Sequence, residues 1–321
     1  CYVEKISQWG EKEECIVKTK VLNFGSLNID IFFRVENIVK PGETISAKSI
    51  EKRPGGKGLN QSVALSKSFE NVYHAGSVGD DGVFLIDYLK SENINTKYIK
   101  KSDKLTGNAI IQVDDSGENS IVLYKGANFD NDKKFIDEVL NDFSKDDILI
   151  LQNEISSMKY LIDKAYEKKM KIVLNPSPIT DEIKEFDFNK IDLLLVNEIE
   201  AKNIANKNSV DESIDYFTST YKNINLIVTV GSKGSIFVNK NEKIKQEGIK
   251  VESVDSTGAG DTFTGFFVSY FYQGKSVRDC LKFASLASAL SVTKSGASIS
   301  IPSLCDVKEF ERKNVWKKKE Y

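Results

Sequence analysis

Five continuous apolar runs, alternating with amphipathic helical patterns, constrain the fold of this chain most. A continuous run, unlike an alternating one, is typical of a strand buried on both faces of a parallel sheet. The runs are Val21–Phe24, Ile148–Leu151, Ile172–Leu174, Leu193–Val196 and Leu226–Val230. The helical patterns are Gln61–Phe69, Lys133–Phe143, Lys159–Lys168, Ser213–Lys222, Asp261–Tyr272 and Val277–Thr293. This alternation predicts an α/β fold with a mostly parallel sheet and helices on both faces.

A second pattern interrupts the first at Asp30–Pro54 and Asn108–Tyr124, where polar and apolar residues alternate as in strands and hairpins. In the later segment, residues 114–117 form a typical hairpin connection between Ile110–Val113 and Ser120–Leu123. The two strand pairs predict a small antiparallel sheet outside the main one. Such a sheet would serve as a lid over a site or as a dimer surface.

The charge balance gives no sign of a nucleic-acid partner, because 45 basic residues face 47 acidic ones with no basic cluster. No apolar run approaches the roughly 18–20 residues that span a bilayer, and residues 1–20 are charged throughout, unlike a signal peptide. The four cysteines are scattered at Cys1, Cys15, Cys280 and Cys305. We therefore expect a cytoplasmic protein with reduced thiols that binds neither nucleic acid nor a membrane.

The expected organisation is one domain over residues 21–312, preceded by an extension of unknown role at 1–20. Residues 313–321, with Lys317, Lys318 and Lys319, are predicted to be a solvated tail. The single histidine, His74, lies in a strand-like stretch, where a core or surface role is expected. One histidine excludes a zinc site made of several histidines.

Small or polar residues follow each apolar run. Gly25-Ser26-Leu27-Asn28 follows the first run and Gln152-Asn153-Glu154 the second; the others lead to Asn175, to Asn197-Glu198 and to Gly231. Ligands of parallel sheets bind beyond the carboxyl ends of the strands. The pattern therefore favours a polar-ligand site at this edge, although generic turn residues would look similar.

The strongest motif is Asp-Ser-Thr-Gly-Ala-Gly-Asp at residues 255–261, which opens a helix. Small residues let the backbone aim consecutive N–H groups at one point, and the helix dipole adds positive potential there. Asp261, in the first turn, is placed to act as the base for a hydroxyl that attacks a phosphate. The competing interpretation makes Asp261 a helix cap.

A second glycine cluster at Pro54–Gln61 precedes another helix and contains Lys57. It is not a P-loop, because Gly-x-x-x-x-Gly-Lys-Ser/Thr does not occur. It is not a dinucleotide fingerprint either, since the segment after the first strand lacks the three glycines.

Together these segments resemble the ribokinase family of carbohydrate kinases, the pfkB superfamily, over about residues 21–312. The Gly-Gly-x-x-x-Asn signature stands at Gly55–Asn60, and the Asp-Ser-Thr-Gly-Ala-Gly-Asp signature at Asp255–Asp261. Residues 25–30 look like the family's first sugar-binding segment. The resemblance implies a Rossmann-like α/β domain and a small β-sheet lid, here formed by about 30–54 and 108–124, through which a homodimer is expected.

The resemblance also implies roles for individual residues. Asp261 would be the base, with an anion hole formed by the amides of Gly258, Ala259 and Gly260. The sugar would be held, besides Asp261, by Asn28, Asp30, Gly56, Lys57, Asn60 and Glu154. ATP and Mg²⁺ would lie at Asn197, Glu200, Thr229, Gly231, Gly234 and Ser285. A K⁺ activator would bind at Asp255, Thr257, Ser291, Lys294, Gly296 and Ser300.

The implied activity is ATP-dependent phosphorylation of the terminal hydroxyl of a sugar, with D-ribose as the first hypothesis. Deoxyribose, a nucleoside, fructose and a keto-deoxy sugar acid remain open. A nucleoside needs an aromatic surface, for which Phe32 and Phe33 are candidates, and a sugar acid needs an extra basic residue, for which the sequence shows no convincing candidate. A non-catalytic sugar-binding regulator would have lost the base or the anion hole, and neither is lost here.

Overall fold

The computed structural model describes residues 3–6, 12–15 and 19–317. Its strands are β1 (Val3–Ile6), β2 (Lys12–Cys15), β3 (Val21–Phe24), β4 (Asn28–Arg34), β5 (Ser49–Gly55), β6 (Val72–Val78), β7 (Asn95–Lys101), β8 (Gly107–Val113), β9 (Asn119–Tyr124), β10 (Ile148–Gln152), β11 (Lys171–Asn175), β12 (Leu193–Asn197), β13 (Asn225–Thr229), β14 (Gly234–Val238) and β15 (Lys243–Glu247). Its α-helices are α1 (Lys57–Ser66), α2 (Val83–Ser91), α3 (Lys133–Leu140), α4 (Met158–Glu167), α5 (Glu198–Ala205), α6 (Val210–Thr220), α7 (Ala259–Tyr272), α8 (Val277–Ser291) and α9 (Leu304–Lys317).

The main sheet has nine strands in the order β15-β14-β13-β12-β11-β10-β3-β6-β7. The pairs from β13 to β7 are parallel, and β14 and β15 add an antiparallel edge. Consecutive residues of one strand enter different cores: Val21 packs with α1, α7 and α8, whereas Leu22 packs with α3, α4 and α6. Helices therefore cover both faces, and the predicted α/β fold is confirmed.

The lid sheet has four strands in the order β5-β4-β8-β9. The two predicted strand pairs are antiparallel, as expected, but β4 and β8 join them in parallel. The expectation of a purely antiparallel sheet is therefore wrong. The chain between β4 and β8 runs through β5, α1, β6, α2 and β7, and a crossover of this length lets β8 return in the same direction as β4.

Several element ends differ from the sequence expectation. Helix α1 begins at Lys57 rather than Gln61, because the glycine cluster itself enters the helix. A Cβ at Gly58 would lie 2.3 Å from the backbone nitrogen of Ser26, so a larger residue would separate α1 from the end of β3. At the chain's end, α9 crosses the expected boundary at residue 312 and continues to Lys317.

The remaining expectations concern the termini and the thiols. Within residues 1–20, β1 and β2 pair antiparallel. Cys280 is a buried free thiol and Cys305 an exposed one. Cys1, Lys318 and Lys319 lie outside the described residues. Of the helices in the described part of the chain, none has the length and apolar character needed to cross a bilayer.

Candidate active site

Asp261 lies in the first turn of α7 and is buried. Its Oδ2 accepts a hydrogen bond of 3.1 Å from Nδ2 of Asn60, and its Oδ1 one of 2.9 Å from Nε2 of Gln61. The two helices approach closely because a Cβ at Gly265, one turn after Asp261, would lie 2.3 Å from Cβ of Ala64, one turn after Asn60. The two sequence motifs that carry the resemblance thus meet at one carboxylate.

The turn before Asp261 has the geometry of an anion site. Gly258 adopts φ 74° at the N-cap of α7, and no side chain caps this helix. A Cβ at Gly258 would lie 3.0 Å from Cα of Ala297, whereas one at Gly260 would contact nothing within 4 Å. A helix N-terminus without a side-chain cap presents unpaired N–H groups and positive potential beside open space. These residues therefore fit a phosphate group.

Two asparagines offer hydrogen-bonding atoms to a polyhydroxylated ligand. Oδ1 of Asn60 is buried and has no hydrogen-bond partner among the described residues. Oδ1 of Asn28 accepts from Nδ2 of Asn128 at 2.7 Å, which leaves the amide N–H groups of Asn28 to donate. Because a buried polar atom without a partner is costly, the acceptor on Asn60 indicates a bound hydroxyl.

Charged residues cluster around the glycine turn before α1. Burial, with the charge of Glu154, raises the pKa of Asp30 to about 7. Glu154 accepts from the backbone N–H of Lys57 at 3.0 Å and from the hydroxyl of Ser26, and burial raises its pKa despite these donors. Asp261 raises the pKa of Lys57 in opposition to burial. The predicted sugar residues Asp30, Gly56, Lys57 and Glu154 are therefore brought together.

The predicted nucleotide residues follow β12 and β13. Asn197 and Glu200 form a capping box at α5, in which Oδ1 of Asn197 accepts from the Glu200 N–H at 2.8 Å and Oε2 of Glu200 accepts from the Asn197 N–H at 2.9 Å. Their polar side chains thus hold a helix N-terminus at the edge where the strands end. Thr229 ends β13, Gly231 and Gly234 have φ of 57° and 108°, and Ser285 lies on α8.

The predicted cation residues join two distant segments. Oδ1 of Asp255 accepts from the N–H and the hydroxyl of Thr257 at 2.9 and 2.6 Å, and its Oδ2 accepts from the Gly296 N–H at 2.9 Å. Burial opposes ionisation of Asp255, but these donors outweigh it and lower the pKa. Ser291 and Ser300 donate to carbonyls within the same loop, and Lys294 lies between them. Carboxylate, hydroxyl and carbonyl oxygens are ligands that suit a hard cation.

Gln61, Gln152 and Arg53 lie in or beside the site without a role predicted from the sequence. Gln61 follows Asn60 directly in the glycine motif, and Gln152 ends β10, so their positions were visible but their partners were not. Arg53 lies opposite Asp30 in the β4–β5 ladder. It forms an ion pair with Glu51 at 2.6 Å, and its guanidinium lies 4.9 Å from the centre of the Phe32 ring.

Comparison with known proteins gives concordant matches. The model of the pfkB family carbohydrate kinases matches residues 18–304. A ribokinase of Staphylococcus aureus is 33% identical over 303 residues, covering 90% of this chain and 99% of that protein. A deoxyribokinase of Salmonella typhi is 32% identical and covers 89% and 96%. The structure of Arabidopsis thaliana ribokinase complexed with ribose and ATP has a TM-score of 0.80 at 29% identity, covering 91% and 98%.

Proposed function

Because the chain belongs to the pfkB family of carbohydrate kinases, we propose that it transfers the γ-phosphoryl group of ATP to the terminal hydroxyl of D-ribose. The observation that carries this proposal is the place of Asp261, a buried carboxylate in the first turn of a helix without a side-chain cap. A carboxylate there accepts the hydroxyl proton while the adjacent amides face the phosphoryl group. The products are D-ribose 5-phosphate and ADP.

The chemistry requires alignment and positive potential more than covalent catalysis. Asp261 removes the proton of the attacking hydroxyl, whose oxygen forms the new bond to the γ-phosphorus as the bond to ADP breaks. The amides of Gly258, Ala259 and Gly260 stabilise charge on the transferring group. We assign ATP to the turn after β13 with Ser285, Mg²⁺ to Asn197 and Glu200, and K⁺ to the loop around Asp255. Both cations supply positive charge when bound.

The choice of ribose is supported by the groups around Asp261. Asn28, Asp30 and Asn60 present polar atoms suited to a sugar with several hydroxyls, and relatives named ribokinase cover most of the chain. Arg53 covers one face of the Phe32 ring, which reduces the aromatic surface open to a nucleoside. Glu51 pairs with the same arginine, so its charge is already partly balanced against a sugar acid. The relatives named deoxyribokinase make 2-deoxyribose the second candidate.

We also propose a homodimer through the lid sheet. Its apolar side chains are unusually exposed, with Ile50, Ile121, Val122 and Leu123 between 52% and 64% accessible. Val122 lies directly opposite Ile110, which is also exposed, so the two form part of one apolar surface. Apolar surface of this kind is typical of a protein–protein contact.

The test is ADP release with ATP, Mg²⁺ and K⁺ on a panel of ribose, 2-deoxyribose, fructose, 2-keto-3-deoxygluconate and adenosine. Turnover on ribose well above the others is the expected result. Preference for deoxyribose would keep the base and the anion hole but move the specificity to the residues near the sugar 2-position. Release of ADP with none of them would contradict the proposal.

A further inference from the structure

Buried amide side chains connect Asp261 to the interior of the sheet. Nε2 of Gln61 donates to Oδ1 of Asp261 at 2.9 Å and to Oδ1 of Asn175 at 3.2 Å. Oε1 of Gln61 in turn accepts from Nε2 of Gln152 at 2.7 Å. Gln61 and Gln152 are both fully buried. The amide of Gln61 is therefore held at both of its ends.

The partners fix which way each amide points. An ionised carboxylate only accepts hydrogen bonds, so Nε2 of Gln61 has to face Asp261, and its Oε1 then needs a donor. Gln152 supplies that donor, while its second contact from Nε2 goes to Oδ1 of Asn23 at 3.0 Å. A reversed Gln152 would place two carbonyl oxygens against each other.

The far end of this chain is anchored and uncharged. Nδ2 of Asn23 donates to Oγ of Ser62 at 2.9 Å, and Ser62 contacts Nδ1 of His74 at 2.8 Å. His74 is completely buried, which lowers the pKa of its imidazole to about 3. Its neutral ring therefore serves as a fixed hydrogen-bond partner in the core, as the sequence-based expectation of a non-catalytic role allowed.

We infer that Gln61 and Gln152 are positioning residues of the kinase reaction, which set the orientation of the Asp261 carboxylate toward the accepting hydroxyl. Gln61 acts directly on the carboxylate, and Gln152 acts through Gln61. This inference rests on the proposed role of Asp261 as the base. A rigid amide is suited to the task because it restrains the carboxylate without adding a charge beside the phosphoryl group.

The charged groups that face Asp261 come from two other segments. Lys57, at the start of α1, and Glu154, after β10, both interact electrostatically with its carboxylate. Neither changes when Gln61 or Gln152 is replaced by leucine. A shift in the acid limb of the pH profile in such variants would therefore report the lost hydrogen bond rather than a changed charge.

The experiment compares Gln61→Leu, Gln152→Leu and the double variant with the wild type. For Gln61→Leu we expect kcat to fall about 10- to 100-fold, the range that small misplacement of a reacting group produces, with the ribose Kd changed less than about threefold. The acid limb of kcat against pH should move upward, because the carboxylate has lost a donor that favours its ionised form. Gln152→Leu should shift both quantities less, and the double variant no further than Gln61→Leu.

Asn225→Leu is the matched control. This amide also has two partners, since Nδ2 donates to the Asp192 carbonyl at 2.9 Å and Oδ1 accepts from Asn239 at 3.0 Å, but it lies at the amino end of β13. A stability loss without a shifted acid limb is expected from it. An equal fall in kcat in the control, or an unmoved acid limb in Gln61→Leu, would overturn the inference.

Two further variants keep the outcome decisive. If Gln61→Leu does not fold, Gln61→Glu has the same length and places a second carboxyl beside Asp261, so the acid limb should move upward; an unchanged limb would overturn the inference. Asp261→Asn separates the two proposals. Wild-type turnover in that variant would remove the base, whereas its inactivity combined with unchanged Gln61→Leu kinetics would remove only the positioning role.

Discussion

The carboxylate of Asp30 occupies the space that a side chain at Gly55 would need. A Cβ at Gly55 would lie 2.0 Å from Oδ2 and 2.4 Å from Oδ1 of Asp30. Gly55 is the last residue of β5, in the Gly-Gly-x-x-x-Asn signature, and Asp30 belongs to the neighbouring strand β4. The first glycine of the signature therefore keeps the lid carboxylate in place, in addition to shaping the turn before α1.

Gly55→Ala should displace Asp30 and weaken sugar binding. The methyl group meets the end of a movable side chain, so we expect a small loss of stability but a KM for ribose raised about tenfold or more, consistent with a lost charge-assisted hydrogen bond. The kcat should change little. Steady-state kinetics at saturating ATP measure this effect. Asp30→Ala is the reference, and a double variant much worse than Asp30→Ala would show that Gly55 acts on something else.

Asp261→Asn should remove the base and leave the binding site intact. The amide keeps the size of the carboxylate but cannot accept the hydroxyl proton, so kcat should fall by about 10²–10⁴, the usual contribution of a general base. Calorimetric titration with ribose should still show binding. Turnover near the wild-type value would contradict the assignment.

Exchange of Na⁺ for K⁺ at constant ionic strength should raise activity. Asp255 connects the loop at Gly296 with the segment that begins the anion site, so an ordered cation there would stabilise the turn at Gly258. Asp255→Asn should abolish the response to K⁺ while the protein remains folded. Equal rates in both salts with the wild type would remove the cation site from the proposal.

The lid surface predicts a dimer that one charge disrupts. Val122→Lys places an ammonium in the exposed apolar surface, and we expect the sedimentation coefficient to fall from a dimer value to a monomer value. Tyr166→Lys is the control, because Tyr166 is similarly exposed at 53% but lies on α4, away from the lid. A wild-type protein that sediments as a monomer would contradict the proposed dimer.

The sequence predicted the main sheet well because buried parallel strands have a clear pattern. Val21–Phe24 was predicted with its observed bounds, and the run predicted at 193–196 ends one residue early. Strands β6 and β7 were missed, since their polar and aromatic residues break the apolar run. The parallel pairing of β4 with β8 depends on the path of the chain between them, which no local pattern encodes.

At the site, the sequence placed the chemistry but not the supporting contacts. Asp261 and Asn60 stand in recognisable motifs, and they do meet, although they are 201 residues apart. The contact from Gln152 to Gln61 depends on the register of β10 against α1 and on the orientation of two amides. Arg53 was missed for a similar reason, because only the β4–β5 register places it opposite Asp30. These features are set by tertiary packing, not by motif spacing.

The raised pKa of Asp30 gives the last prediction, which concerns stability against pH. Its folded pKa of about 7 lies above the ordinary value of 3.8 because of burial and the nearby Glu154. The stability that protonation of Asp30 provides is complete below the ordinary pKa and is lost as the pH rises to about 7, since the unfolded chain releases the proton first. The wild-type protein should therefore lose stability between about pH 4 and pH 7 through this residue.

Asp30→Asn removes this dependence, because an amide does not titrate. The unfolding free energy of the variant relative to the wild type should increase by about 1–2 kcal/mol from pH 5 to pH 8, less than the roughly 1.4 kcal/mol per pKa unit of a fully shielded group because water reaches the carboxyl. Urea unfolding at the two pH values measures it. Glu154 is present in both proteins, so its own titration largely cancels. A difference that stays constant or falls with pH would show that Asp30 is already ionised at pH 5, and its role would then be that of a charged sugar acceptor.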